Sequence, residues 1–248
     1  MNLVILINTD QTDERRYVLG DHRAEHIRSI LKLKVGDEFE AGLLNGPIGK
    51  ARILSDDGVV IEVEIGGLRE PSADPVAIHL ICALPRPQTV KKVLQTIATM
   101  GVERCDFIRA NRVERSFYQS PLIAEQNFMS YILEGLAQGK RTKLPEVAVH
   151  ERFRPFMEDV LPTLDSGRER ALRLLPDPEA AETLDKVFEQ SSRVILAIGP
   201  EGGWVPFETE LMESLGFVRY RLSRSILRVE TAVTAALAQM ELLTMRPR

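Results

Sequence analysis

Two segments hold the residue types that can do chemistry. The first, Arg193-Val194-Ile195-Leu196-Ala197-Ile198-Gly199-Pro200-Glu201-Gly202-Gly203-Trp204, ends an apolar run in three glycines and one carboxylate within five positions. Glycine at the end of a parallel strand lets backbone approach a ligand, and open α/β sheets bind ligands at those ends. A tight turn at positive φ would use the same residues. The second segment is Leu222-Ser223-Arg224-Ser225-Ile226-Leu227-Arg228-Val229-Glu230-Thr231-Ala232. Ile226 and Leu227 are wasted on solvent in a loop but useful as a wall for a flat ligand, with loop backbone reading its polar edges. Arg228 and Glu230 stand at the mouth of the next helix, to meet a substrate or to form a structural ion pair. Neither segment is a Walker A or G-x-G-x-x-G sequence, and Pro85-Arg86-Pro87-Gln88 replaces the glycine-rich turn of a Rossmann methyltransferase. His22 and His26 lack a third ligand and Cys82 and Cys105 lack a patterned partner, so no metal is expected. G-x-S-x-G is absent.

The elements that must position these segments follow from periodicity. Residues 1–70 read as a small β-rich module, with runs at 3–7, 38–44, 48–54 and 59–65. Gly36-Asp37, Asn45-Gly46-Pro47 and Asp56-Asp57-Gly58 separate them as turns. Asp21 can N-cap a helix with Ala24, Ile27, Ile30 and Leu31 on one face and Arg23, Arg28 and Lys32 on the other. Residues 66–75 have linker composition. From 76 to 248 the grammar changes, with apolar runs at 76–84, 104–108, 170–175, 193–198 and 217–222, each followed by a helical pattern. Strands alternating with helices predict an α/β domain on a mainly parallel sheet. Pro206 and Glu208 open one helix that stops at Gly216, and an Ala-rich helix begins near Val229.

Composition is that of a globular protein, 44% hydrophobic and 27% charged, with no apolar run of the roughly 20 residues that span a bilayer. Leu3–Ile7 lacks a basic flank and a cleavage site, so it reads as a strand and not as a signal peptide. Unpaired cysteines fit a reducing cytoplasm. The net charge of −4 speaks against a nucleic-acid partner, but positive charge is clustered. Residues 86–116 hold seven Lys/Arg against three Asp/Glu, and residues 219–228 hold four arginines and no acid. Arg112 and Arg115 follow the run at 104–108, where they suit phosphate contact or a salt-bridged loop.

Ile198-Gly199-Pro200-Glu201-Gly202-Gly203, with Ile226-Leu227-Arg228-Val229-Glu230-Thr231-Ala232 about two dozen residues on, resembles the paired signature of the 16S ribosomal RNA uracil-N3 methyltransferases, the RsmE family. His26-Ile27-Arg28-Ser29-Ile30-Leu31-Lys32-Leu33-Lys34-Val35-Gly36-Asp37 is similar to that family's N-terminal motif, and Gly101-Val102 and Glu114-Arg115-Ser116 fall where the family has them. Ser223, Ser225 and Val229 stand where the family often has glycine, arginine and threonine. The resemblance implies a PUA-like β-barrel followed by a SPOUT domain threaded into a trefoil knot, in a cytoplasmic homodimer acting on the small ribosomal subunit. It also implies S-adenosylmethionine held by Leu175, Gly199, Pro200, Gly202, Gly203, Leu222, Ile226 and Leu227, without a metal. RNA would be met by Arg23, Arg28, Lys32, Arg112, Arg115, Lys140 and Arg141.

The implied reaction methylates uracil N3, which carries a proton between two carbonyls. It needs a proton acceptor, a cation for charge spreading onto O2 and O4, and in-line placement of an unstacked base. Arg228 is the candidate charge stabiliser, and Glu201 or Glu230 the candidate acceptor or orienting group. Two other readings remain: a SPOUT enzyme acting on tRNA or on a ribose 2′-oxygen, and a non-catalytic ribosome-assembly factor that binds RNA only.

Overall fold

Alternating apolar residues and the turn signals between them build a six-stranded, mostly antiparallel sheet near the N-terminus. In the computed structural model, which describes residues 2–123 and 128–245, its strands are β1 (Val4–Leu6), β2 (Gln11–Asp13), β3 (Arg16–Leu19), β4 (Glu38–Leu43), β5 (Ile48–Asp56) and β6 (Ile61–Arg69). Their order is β1-β4-β5-β6-β3-β2, with only β1 and β4 parallel. Asn45 (φ 58°) and Gly58 (φ 88°) provide the left-handed corners that short reversals need. The inward set includes Leu19, Phe39, Ile53, Ile61, Val63 and Ile65, packed with Ala24 and Ile27.

Asp21 caps α1 (His22–Glu25) by accepting the Arg23 backbone N–H at 2.9 Å, and the helix widens into a π turn over His26–Ile30. The extra residue in that turn rotates Ile30 out of the expected apolar face, leaving it 67% exposed. Three further features differ from the sequence reading. β2 and β3 carry no legible pattern, β6 absorbs Gly66–Arg69 of the expected linker, and the compact unit is Met1–Ala73 together with Leu133–Leu144. That distant segment is stitched in by backbone: Leu3 donates to Ala137 O at 2.9 Å, and Asn45 to Thr142 O at 2.8 Å. Thr142 Oγ1 donates to Gly46 O at 2.6 Å.

The second unit, Asp74–Ile132 with Pro145–Arg248, is built on strands β7 (Ala77–Ala83), β8 (Arg104–Ile108), β9 (Glu146–His150), β10 (Leu172–Pro176), β11 (Arg193–Ile198) and β12 (Val218–Tyr220). All pairings are parallel, in the order β12-β10-β11-β7-β8-β9. Its helices are α2 (Pro87–Met100), the start of α3 (Phe128–Gly139, whose residues from Leu133 on belong to the first unit), α4 (Phe153–Pro155), α5 (Leu161–Asp165), α6 (Leu184–Val187), α7 (Pro206–Ser214) and, after β12, α8 (Val229–Thr244). β11 from Val194 to Ile198, and β7 apart from His79, are apolar because both faces are covered. Burial of each of their large residues contributes about 1.5–3 kcal/mol. α2 buries Val90, Val93, Leu94 and Ile97 and closes at Gly101 (φ 74°), while α8 packs on it and buries Val233, Ala236, Leu237 and Met240. No described helix is long and apolar enough to cross a membrane.

One polar cluster lies inside this sheet. Asp106 is fully buried and accepts from His79 Nε2 at 2.6 Å, His150 Nε2 at 2.7 Å and both faces of the Arg104 fork at 2.6 and 2.9 Å. Both imidazoles therefore carry their proton on Nε2. Burial alone would raise the Asp106 carboxyl, but hydrogen bonds from His79, Arg104 and His150 hold it far below the usual carboxylate range.

Candidate active site

The glycine run turns the chain away from the end of β11, and each glycine is there for a different reason. Gly203 sits at φ 73°, and its N–H donates to Pro200 O at 2.8 Å, closing the turn. At Gly199 a Cβ would lie 2.9 Å from Trp204 Nε1 and 3.2 Å from two further ring atoms. The indole stands against Phe153, at a centroid distance of 5.8 Å. At Gly202 a Cβ would meet Arg112 Cδ at 3.1 Å, because the Arg112 side chain lies across it and donates Nη1 to the Gly202 carbonyl. Pro206 then starts α7, and the buried Glu208 carboxylate accepts from Val205 N at 3.0 Å and Asn111 N at 2.6 Å.

Strands β12, β10 and β11 are neighbours, so the loops beyond their C-terminal ends converge on one cavity of about 730 Å³. Its walls are Pro176–Glu179 after β10, Ile198–Trp204 after β11, and Leu222, Ser223 and Ser225–Leu227 after β12. That volume falls in the roughly 300–1,000 Å³ range of small-molecule sites. Ile226 is 85% exposed, an apolar side chain held at the cavity rim. The loop that carries it is pinned at two points. Ser225 N donates to Ser223 Oγ at 3.1 Å, and Gln239 Nε2 of α8 donates to Leu222 O at 3.1 Å. The loop runs from residue 221 to 228, starting two residues earlier than the sequence suggested because β12 ends at Tyr220. Asp177 grips Arg219 at 2.7 and 3.0 Å along the same wall.

Gly199, Pro200, Glu201, Gly202, Gly203, Leu222, Ile226 and Leu227 thus share one cavity. The Leu175 side chain does not reach it: it is buried in the core with Ile195, Met212 and Phe217, and the lining starts one residue later. Arg228 is the exposed residue that precedes α8, and Glu230 lies in the first helical turn; neither lines the cavity. Glu230 pairs with Lys92 Nζ at 3.2 Å, and Glu201 with Arg86 Nε at 3.1 Å. A hydrogen bond from its own backbone N–H, and then the Lys92 ammonium, hold the Glu230 carboxyl below the usual range. Such a carboxylate stays ionised and accepts a proton weakly.

The predicted RNA-facing cations divide. Arg23 is 14% exposed and spends its fork on Asp10 and Asp21, at 2.6 and 2.9 Å, so it braces the first unit from within. Arg28 pairs with Asp56 at 2.8 Å, and Lys140 with Glu40. Lys32 is exposed at φ 54°, Arg115 is exposed, Arg141 is half-buried, and Arg112 lies on the glycine loop. Sequence reasoning missed Trp204, Asp177, Arg86 and Lys92 as parts of the site or its surroundings. Asp177 had a signal, since it directly follows a strand of the parallel sheet. Pairing of Arg86 and Lys92 with acids more than a hundred positions away had none.

A parallel α/β sheet with a glycine-walled cavity at its strand ends is the architecture of a ligand-binding enzyme domain, and the family described as RNA methyltransferase domain matches residues 72–241. The ribosomal RNA small subunit methyltransferase E of Treponema pallidum is 31% identical over 219 residues, 88% of this chain and 82% of that protein. The chain belongs to the ribosomal RNA small subunit methyltransferase E family. Two solved structures are similar in fold over 98% of both chains. One is a methyltransferase of Legionella pneumophila in complex with bound S-adenosylmethionine, at 20% identity and TM-score 0.78. The other is the small subunit methyltransferase E of Neisseria gonorrhoeae, bound to the same compound, at 22% identity and TM-score 0.76.

Proposed function

We propose that this protein methylates N3 of a uridine in the 16S RNA of the small ribosomal subunit, with S-adenosylmethionine as cofactor. Beside family membership, the observation that carries this reading is one cavity walled by both signature loops, Gly199–Gly203 and Ser225–Leu227. Those residues fit the cofactor chemically. Leu227 and Ile226 offer an apolar wall for a flat ring, and exposed loop backbone offers donors and acceptors for its polar edges. When bound, the cofactor supplies an electrophilic methyl group.

The chain's own residues do the rest. Arg228 is exposed and supplies a cation for charge spreading onto the uracil carbonyls. Glu201, which lines the cavity, takes the role of proton acceptor, whereas Glu230, outside the cavity and held low by its own backbone N–H and by Lys92, orients its neighbours. Lys32, Arg115 and Arg141, with the outer faces of Arg28, Arg112 and Lys140, track phosphate. In this reading the N-terminal unit is a PUA-like barrel. The C-terminal unit is a SPOUT domain whose last segment is threaded as a trefoil knot. The enzyme works as a homodimer in the cytoplasm and needs no metal. Deleting the gene and digesting small-subunit RNA to nucleosides tests it: 3-methyluridine should disappear from the mass spectrum. Its persistence, or loss of a ribose-methylated nucleoside in its place, would overturn the reading.

A further inference from the structure

We propose that Arg112 and Glu208 are positioning residues: together they hold the glycine loop in the shape that receives the cofactor. This rests on the cofactor reading above. The loop needs outside support, because Glu201, Gly202 and Gly203 are all exposed and, among the described residues, Gly203 N to Pro200 O is the only backbone hydrogen bond within it. Glycines leave such a segment with the widest choice of backbone conformations, so an unsupported loop would have to be ordered by the ligand at a cost in affinity.

The support is a two-step tether. Glu208 is 2% exposed, and its two oxygens are taken by two backbone amides from separate segments. Oε2 accepts from Val205, directly after the loop, and Oε1 from Asn111, directly after β8 and its two following residues, at 3.0 and 2.6 Å. Each is a hydrogen bond to a charged acceptor, the stronger class. The Asn111 bond places residue 112 beside the loop. Arg112 then lays its methylenes on Gly202, where a Cβ would be 3.1 Å from Cδ, and donates Nη1 to the Gly202 carbonyl. A guanidinium that spends one donor inward keeps others free at the cavity wall it lines. The contact also explains why position 202 carries no side chain: its near neighbour is Arg112. Expected as a phosphate ligand, Arg112 acts first on the loop.

The test compares wild type, Arg112→Ala, Arg112→Lys and Glu208→Gln. S-Adenosylmethionine affinity is read by calorimetric titration, methyl transfer to unmodified small subunits at saturating cofactor, and thermal midpoint on the same samples. Losing one hydrogen bond from a charged donor should weaken cofactor binding roughly 10- to 100-fold in Arg112→Ala. The fall in rate at saturating cofactor should be smaller than the fall in cofactor affinity, since the loop is restored once the cofactor is bound. Arg112→Lys should recover part of the affinity, because it keeps a charge and a donor but loses the fork. Glu208→Gln should lower affinity in the same direction, and the double mutant should fall no further than the worse single mutant, as expected of two parts of one tether. Normal affinity in a folded Arg112→Ala, or a defect confined to the transfer rate or to RNA binding, overturns the inference while leaving the cofactor reading intact. Absence of binding by the wild type would sink both.

Discussion

Replacing Gly199 by alanine probes the site at its tightest point. The added Cβ would lie 2.9 Å from Trp204 Nε1, and relief to an ordinary 3.4 Å requires a shift of about half an ångström. The indole cannot retreat freely, because it packs on the core cluster beside Phe153, itself 7% exposed. Overpacking of this kind costs roughly 1–3 kcal/mol. For a chain of this size that corresponds to a thermal midpoint lower by roughly 2–12 °C. Part of the strain will be relieved by movement of residues 199–203, so cofactor affinity should fall by about 5- to 150-fold. Trp204→Leu removes the obstructing ring, and with it a buried indole N–H that has no hydrogen-bond partner among the described residues. Trp204→Leu should therefore restore much of what Gly199→Ala loses, giving a coupling of about 1–2 kcal/mol in denaturant unfolding. Strict additivity, or Gly199→Ala with unchanged midpoint and affinity, would refute the steric argument.

Other perturbations separate stability, RNA contact and chemistry. The Asp106 carboxyl lies below its unfolded value of about 3.9, so the stability it brings is present above about pH 4 and is lost as pH falls through the folded value. Asp106→Asn should cost about 3–5 kcal/mol near neutral pH and flatten the acid limb of a midpoint-against-pH plot. Arg23→Ala should destabilise the first unit by about 3–5 kcal/mol, because it strands Asp10, without changing how RNA affinity depends on salt. Lys32→Glu should leave stability alone and reduce the slope of log K against log salt by about one. Arg228→Ala should lower single-turnover methyl transfer by roughly 10²–10³ while cofactor titration is unchanged, since its interaction develops only in the transition state.

The parts of the site legible in the sequence are those that follow from local pattern. The largely apolar runs at 76–84, 104–108 and 193–198 became neighbouring strands, as short apolar runs do in a sheet covered on both faces. Gly199–Gly203 was legible because glycines after such a strand mark a binding edge. β2 was not, since Gln11–Asp13 is wholly exposed and has no apolar face to alternate. Incorporation of Leu133–Leu144 into the first unit depends on backbone bonds such as Asn45 to Thr142, across a separation no local pattern encodes. Arg23 looked like one cation of a solvent-facing stripe, but its partner Asp10 comes from a different element, and a long side chain is drawn inward by whatever acid it can reach. Arg112 was legible as a cation suited to phosphate, but its contact with Gly202, ninety positions away, was not.

The central claim is methyl transfer from S-adenosylmethionine to uracil N3 in small-subunit RNA. The most direct test incubates the purified protein with isotope-labelled S-adenosylmethionine and small subunits from a strain lacking this activity, then identifies the labelled nucleoside by mass spectrometry. The account predicts label in 3-methyluridine, stoichiometric with subunits and slower to appear when Gly199→Ala replaces the wild type at limiting cofactor. Label in a ribose-methylated nucleoside, label appearing only when tRNA is supplied, or no transfer by a protein that binds both cofactor and subunit would contradict it.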